Sequence, residues 1–348
     1  MRQIQVLVLG MGGNVSQGIL AALRNSTLKI RIVGACVSEE SVGLYMCDSA
    51  FISPYAEADL FIPWVINICN QENIDIIFSG VEQIVYALEM HSQTIKKQTK
   101  AIFISSTLDK LQIGNDKLLT VQWLKENKLN FPLFAESNNK NSIDELIKNC
   151  GFPLIAKPRK GKGSIGIHLI KSLNDIENLN LEDYILQEYL GDESQEYTVA
   201  CYVDKNEKVQ DLIIMRRELK YGTTFKAEIV QNKAIKEECN KICSAFMPKG
   251  PLNIQLRIHN GIPICFELNV RYSGTTSIRA RWGYNDVEAM IREYILGDAI
   301  HEVLKPHQEA LVYRYFNEQY IDKNMYESLR NSKGIPDVSQ YNNFQEYR

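Results

Sequence analysis

Residues 251–271 read PLNIQLRIHNGIPICFELNVR, two apolar-rich runs on either side of Asn260 and Gly261. An Asn-Gly pair between alternating apolar residues predicts a β-hairpin, because both central positions of the tight turn need positive φ. On the second run Glu267, Asn269 and Arg271 fall at alternate positions, so a strand sends all three side chains to one face. Gln255 lies on the partner run. A carboxylate with two amide oxygens is a hard-oxygen set suited to Mg²⁺, and an arginine beside it suits a phosphoryl group in transfer. The plain alternative is the hydrated outer face of an ordinary hairpin.

Two upstream stretches bear on that choice. AKPRKGKGSIGIHLI, residues 156–170, sets a basic, glycine-rich loop between two strand-like runs and fits no Walker A pattern. Lys157 ends an apolar run, so its ammonium emerges at a sheet edge. Gly161, Gly163 and Gly166 let the backbone that follows approach a ligand closely. A fixed lysine and a glycine loop make a phosphate cradle, or else a solvated basic hairpin. In QEYLGDESQEYTV, Gln187, Glu188, Tyr189 and Leu190 form an extended stretch whose backbone can read adenine, and Glu196 offers a carboxylate for ribose hydroxyls. Standing alone, that stretch is ordinary strand and loop.

With 348 residues the chain is expected to form two or three domains. A net charge of −3 argues against a general nucleic-acid or membrane-surface binder. Eight scattered cysteines lack zinc-site spacing, which points to a reducing compartment. No apolar run reaches membrane-spanning length and the start does not read as a signal peptide, so a cytoplasmic location is expected.

The first third alternates strands (QIQVLVLG, IRIVGACVS, DIIFSG, KAIFIS) with helical stretches, predicting a parallel sheet over roughly residues 1–110. Its glycine turn, GMGGNVSQG, fits the dinucleotide fingerprint poorly, since Val15 stands where the third glycine belongs. Beyond it, helices among antiparallel strands suggest α+β units. ALVYRYFNEQYI reads as a closing strand.

With these pieces in this order, the chain resembles the ATP-grasp superfamily, particularly its carbamoyl phosphate synthetase-like and amino-acid ligase branches. The resemblance implies an α/β plus α+β architecture. A Rossmann-like, pre-ATP-grasp parallel α/β domain occupies 1–114 on the substrate side. A lid subdomain follows over 115–190, then an ATP- and metal-binding domain with a C-terminal extension over 191–348. Lys117 and Lys157 match nucleotide lysines, and Gly161, Gly163, Ser164 and Gly166 the phosphate loop. Gln187, Glu188, Tyr189 and Leu190 match the adenine hinge, and Glu196 the ribose carboxylate. Gln255, Glu267 and Asn269 match ligands for Mg²⁺ or Mn²⁺. Arg271 and Lys157 match the catalytic charges on the transferring phosphate. Val270 departs from the proline usual before that arginine, and Gln255 from the acid usual outside the carbamoyl phosphate synthetase branch.

The implied reaction is ATP-dependent, ADP-forming ligation of a carboxylate to an amine through an acyl phosphate. Its substrates are small metabolites such as an amino acid or a sugar-derived acid, and a homodimer is the expected assembly. A carbamoyl phosphate synthetase-like kinase of a small carboxylate is the nearest alternative. An oxidoreductase using the glycine turn is the distant one. Gly12, Gly13, Asn14, Arg217 and Arg279 are the candidates for holding substrate, with Arg216, Lys220 and Arg281 as nearby charges.

Overall fold

The computed structural model describes residues 2–341 apart from 162, 164, 192 and 307–310. β1 (Ile4–Leu9) is buried along almost its whole length, as a central parallel strand covered on both faces must be. After it come α1 (Asn14–Arg24), β2 (Ile30–Cys36), β3 (Ser49–Ile52), α2 (Phe61–Gln71), β4 (Ile76–Ser79), α3 (Glu82–Met90), α4 (Ser92–Gln98) and β5 (Ile102–Phe103). These strands pair in parallel in the order β3-β2-β1-β4-β5. The direction of winding reverses at β1, which opens a crevice outside the carboxyl ends of β1 and β4. The starts of α1 and α3 leave those two ends and so face a common cavity. The expected parallel sheet is present, with β3 added; four residues long, β3 is too short for its alternation to mark it.

α5 (Leu108–Asn115) and α6 (Lys117–Glu126) lead into a smaller unit. Its elements are β6 (Phe134–Glu136), α7 (Lys140–Cys150), β7 (Leu154–Pro158), β8 (His168–Ile170), α8 (Leu173–Asn178) and β9 (Tyr184–Glu188). The strands form an antiparallel sheet in the order β6-β9-β7-β8. Ala135, Leu146, Leu154 and Leu186 belong to a core of its own.

The third sheet is built from β10 (Glu196–Val203), β11 (Ile213–Lys220), β12 (Thr223–Ile229), β13 (Gly250–His259), β14 (Ile262–Asn269) and β15 (Leu311–Tyr313). α9 (Lys233–Phe246) precedes β13, and α10 (Thr276–Arg281) and α11 (Asp286–Ile291) follow β14. The strand order is β14-β13-β10-β11-β12-β15, antiparallel throughout. At the β13–β14 turn Asn260 and Gly261 have φ of 50° and 79°, as their residue types require. The register sets Gln255 opposite Glu267. One buried cluster joins this sheet to the first: Ala200 and Tyr202 of β10 share it with Ile19 of α1 and Val6 of β1.

The C-terminal extension does not stay with the third sheet. α12 (Lys323–Ser332) leads to β16 (Gly334–Ile335), which pairs antiparallel with β3 and completes the first sheet. All eight cysteines are free thiols, seven of them buried. Among the described residues no helix is long and apolar enough to cross a membrane.

Candidate nucleotide and substrate site

All three sheets contribute to a cavity of about 1210 Å³. Lys157, near the end of β7, projects into it, with Nζ 4.7 Å from the centre of the Phe266 ring. Burial pushes its ammonium down to about 8; Glu267 and Glu196 oppose that, while Arg257 and Lys117 add to it. Lys117 opens α6 and donates from Nζ to the Gly161 carbonyl at 3.2 Å, fixing the near end of the glycine loop. The same corner is clamped by Asp116, which caps α6 and pairs with Arg159 at 2.7 Å. Burial would raise the Asp116 carboxyl, but Arg159 outweighs it and holds the group below the usual carboxylate range.

Gly161 and Gly163 line the cavity as expected. Gly166 does not line it: a Cβ there would come within 2.9 Å of Pro158 and of the Tyr184 hydroxyl, so packing accounts for this glycine. Ser164 lies outside the described residues. Gly163 also touches the β11–β12 turn, where a Cβ on Gly222 would lie 2.4 Å from the Gly163 carbonyl.

Gln187, Glu188, Tyr189 and Leu190 form one wall. The Leu190 N–H has no acceptor among the described residues, as an adenine-reading donor requires. The Leu190 carbonyl meets His259 Nδ1 at 3.3 Å, and both the N–H and the side chain of Glu188 are spent on Leu133. Gln187 is 1% exposed, and its Nε2 is buried without a partner. An orphaned amide donor in a cavity wall is costly until a ligand accepts from it.

Glu196 requires a correction. Its Oε1 accepts from Arg217 Nε and Nη2 at 3.0 and 2.8 Å, and its Oε2 from Arg257 at 3.2 and 2.8 Å. Four donors fill a carboxylate's capacity, so Glu196 anchors two arginines, and ribose hydroxyls would have to displace one of them. Burial would raise this carboxyl; the two guanidiniums outweigh it and keep it low. Arg217, expected at the substrate, is likewise committed, since it also donates to Gln255 Oε1 at 2.7 Å.

That contact bears on the expected metal set. Gln255 spends its oxygen on Arg217 and turns its nitrogen to Glu267 Oε1 at 3.2 Å. The neighbours fix this orientation, because a flipped amide would face donor with donor. Asn269 donates Nδ2 to the same Glu267 oxygen at 2.8 Å. Among the described residues nothing donates to Glu267 Oε2 or Asn269 Oδ1, so the two could serve as oxygen ligands to a cation such as Mg²⁺.

Arg271 lines the cavity but reaches across to α3, where Glu82 Oε1 accepts from Nε and Nη2 at 2.9 and 2.7 Å. At the glycine turn, Gly12 N–H is spent on Cys36 Sγ and Gly13 N–H on the Gly10 carbonyl, so neither cradles a ligand. Asn14 does line the cavity, as the first residue of α1. Arg279 is 1% exposed and pairs with Asp286 at 2.7 Å while holding the Ser273 hydroxyl. It braces the loop at 273–275 from behind and cannot meet substrate. Arg216 pairs with Glu228, and Lys220 lies over Phe225. Sequence reasoning missed Glu82, Arg257, Phe266 and Arg314, whose roles depend on contacts between distant elements.

Residues 180–318 match the family model described as ATP-grasp in the biosynthetic pathway with Ter operon. Residues 180–318 are thus similar to an ATP-grasp domain. A second model, the PylC-like N-terminal domain, matches residues 6–103. The carbamoyl phosphate synthase large chain of Caldanaerobacter subterraneus is 22% identical over 332 residues, covering 86% of this chain and 30% of that one. Uncharacterized protein MG011 of Mycoplasma genitalium is 31% identical over 130 residues, covering 36% and 43%. The chain thus spans less than half the length of these curated relatives. Among solved structures, N5-carboxyaminoimidazole ribonucleotide synthetase from Thermus thermophilus superposes with a TM-score of 0.67 at 14% identity, over 88% of this chain and 82% of that one. Biotin carboxylase from Campylobacter jejuni gives 0.68 at 15%, over 88% and 74%. These likenesses establish the fold.

Proposed function

We propose that this chain is an ADP-forming ligase that activates a small carboxylate with ATP and passes the acyl group to an amine. The observation that carries the reading is the meeting around one cavity of Lys117 from the start of α6, Lys157 from β7, Glu267 and Asn269 from β14, and Arg271 just beyond it. In this reading Leu190 N–H and the orphaned Gln187 amide take the adenine. Lys117 and Lys157 take phosphate oxygens, with Phe266 and the glycine loop excluding water. Glu267 and Asn269 hold Mg²⁺, which when bound neutralises phosphate charge. The substrate carboxylate attacks the γ-phosphorus, the bond to the β-γ bridging oxygen breaks, and ADP leaves. The amine then displaces phosphate from the acyl phosphate. Arg271 balances the charge of the phosphoryl group in transit once it leaves Glu82.

No side-chain nucleophile is needed; positioning and fixed charge supply the acceleration. The oxidoreductase reading is disfavoured because the Gly12 and Gly13 N–H groups that would face a pyrophosphate are already spent. The test is a screen of paired carboxylates and amines for release of ADP and phosphate. One pair should drive turnover that Glu267→Ala abolishes without loss of fold. Full turnover in that variant would count against the site, and NAD protection without ATP protection would count against the whole reading.

A further inference from the structure

Arg314 stands just beyond β15, and no acid among the described residues pairs with it, although it is half-buried. Its Nη1 donates to Thr223 Oγ1 at 2.8 Å and to the Thr224 carbonyl at 3.1 Å, and its Nη2 to the Gly274 carbonyl. All three of these residues line the cavity. Two acids in the cavity wall are committed elsewhere, Glu82 to Arg271 and Glu218 to Lys226. A half-buried guanidinium met, among the described residues, only by neutral oxygens is left short of a counter-ion by them.

Thr223 is the group this arrangement prepares. Its Oγ1 accepts from Arg314 and, at 3.4 Å, from Asn14 Nδ2. With both lone pairs engaged the hydroxyl can only donate, and no acceptor among the described residues takes its proton. The first turn of α1 at Asn14 carries no acid, so the positive end of that helix is not neutralised from within.

We propose that the Thr223 hydroxyl, held and polarised by Arg314, docks an anionic group of the substrate, a carboxylate or a phosphate. This rests on the ligase reading of the same cavity. Thr223 touches the anion; Arg314 is a positioning residue that supplies charge through it. The ligand provides both the missing acceptor and the missing counter-charge.

The test is calorimetric titration at low ionic strength with inorganic phosphate, succinate and L-glutamate, each with and without MgADP. Wild type, Thr223→Val, Thr223→Ser and Arg314→Gln are compared. At least one probe is expected to bind wild type, to weaken about tenfold or more in Thr223→Val and Arg314→Gln, and to recover in Thr223→Ser. MgADP affinity should be equal in all four. Preference between phosphate and the two carboxylates identifies the anion. Equal anion affinity in wild type and Thr223→Val overturns the proposal, as does failure of every probe to bind wild type. Loss of MgADP binding together with the anion in both variants also overturns it, since the corner would then be structural. If wild type does not bind MgADP, the ligase reading fails, and the titrations on nucleotide-free protein still decide the Thr223 corner.

Discussion

Arg271 and Glu82 stand 189 residues apart in sequence, and the arginine places two nitrogens on one carboxylate oxygen of the glutamate, at 2.7 and 2.9 Å. The pair joins the start of α3 to the stretch just past β14, and in the proposed reaction it would keep the arginine occupied until a phosphoryl group arrives. Glu82→Gln removes the competing charge. It is expected to raise ATP hydrolysis without a carboxylate substrate severalfold, with an unchanged melting temperature within a few degrees. Hydrolysis equal to wild type would show that Glu82 does not restrain Arg271.

Lys157 sets a pH dependence. Its folded value near 8 lies below its ordinary 10.5, so between those values the unfolded chain keeps a proton that the native one has lost. Stability from this group therefore rises with pH across that window. ATP affinity runs the other way, because phosphate needs the ammonium. The ATP Kd should weaken above about pH 8, approaching roughly tenfold per unit. Lys157→Arg should flatten that profile; a wild-type Kd independent of pH from 7 to 9.5 refutes the assignment.

Glu196 gives a contrast between anchor and ribose ligand. Glu196→Gln leaves two buried arginines short of a counter-ion and should cost about 3–5 kcal/mol in urea unfolding. Because its oxygens are full, 2′-deoxy-ATP should bind wild type within about twofold of ATP, a match expected of a free hydroxyl. A much weaker deoxy analogue would restore the ribose role.

Gly222 holds φ at 69°, and the Gly163 carbonyl sits where a β-carbon on it would stand. Gly222→Ala forces that turn and the glycine loop apart at a cost of about 1–3 kcal/mol. The expected readout is a raised KM for ATP, larger than any change in KM for the carboxylate. An alanine variant with wild-type ATP kinetics would mean that the contact does not order the loop.

Much of the site was legible because its signals are local. The Asn260-Gly261 turn fixes a hairpin, and period two then puts Glu267, Asn269 and Arg271 on one face whatever the rest of the chain does. Lys157 was legible for the same reason, at the end of an apolar run followed by glycines. The errors arise where neighbouring strands decide. Glu196 reads as a free carboxylate until β11 and β13 flank β10 and bring Arg217 and Arg257 to its two oxygens. Gln255 reads as a ligand until the same Arg217 takes its oxygen. Arg279 and Arg314 look alike in sequence, yet one is paired with Asp286 and the other has no acid partner among the described residues. Register and tertiary pairing, which no short motif encodes, separate them.

The smaller sheet carries a hydrophobic core separate from the one shared by the other two. Lys157 belongs to that sheet, while the ring it rests on, Phe266, belongs to the third. Any movement that lifts the smaller sheet returns this ammonium to water, where it regains its ordinary basicity. Opening is thereby tied to proton uptake and closing to proton release.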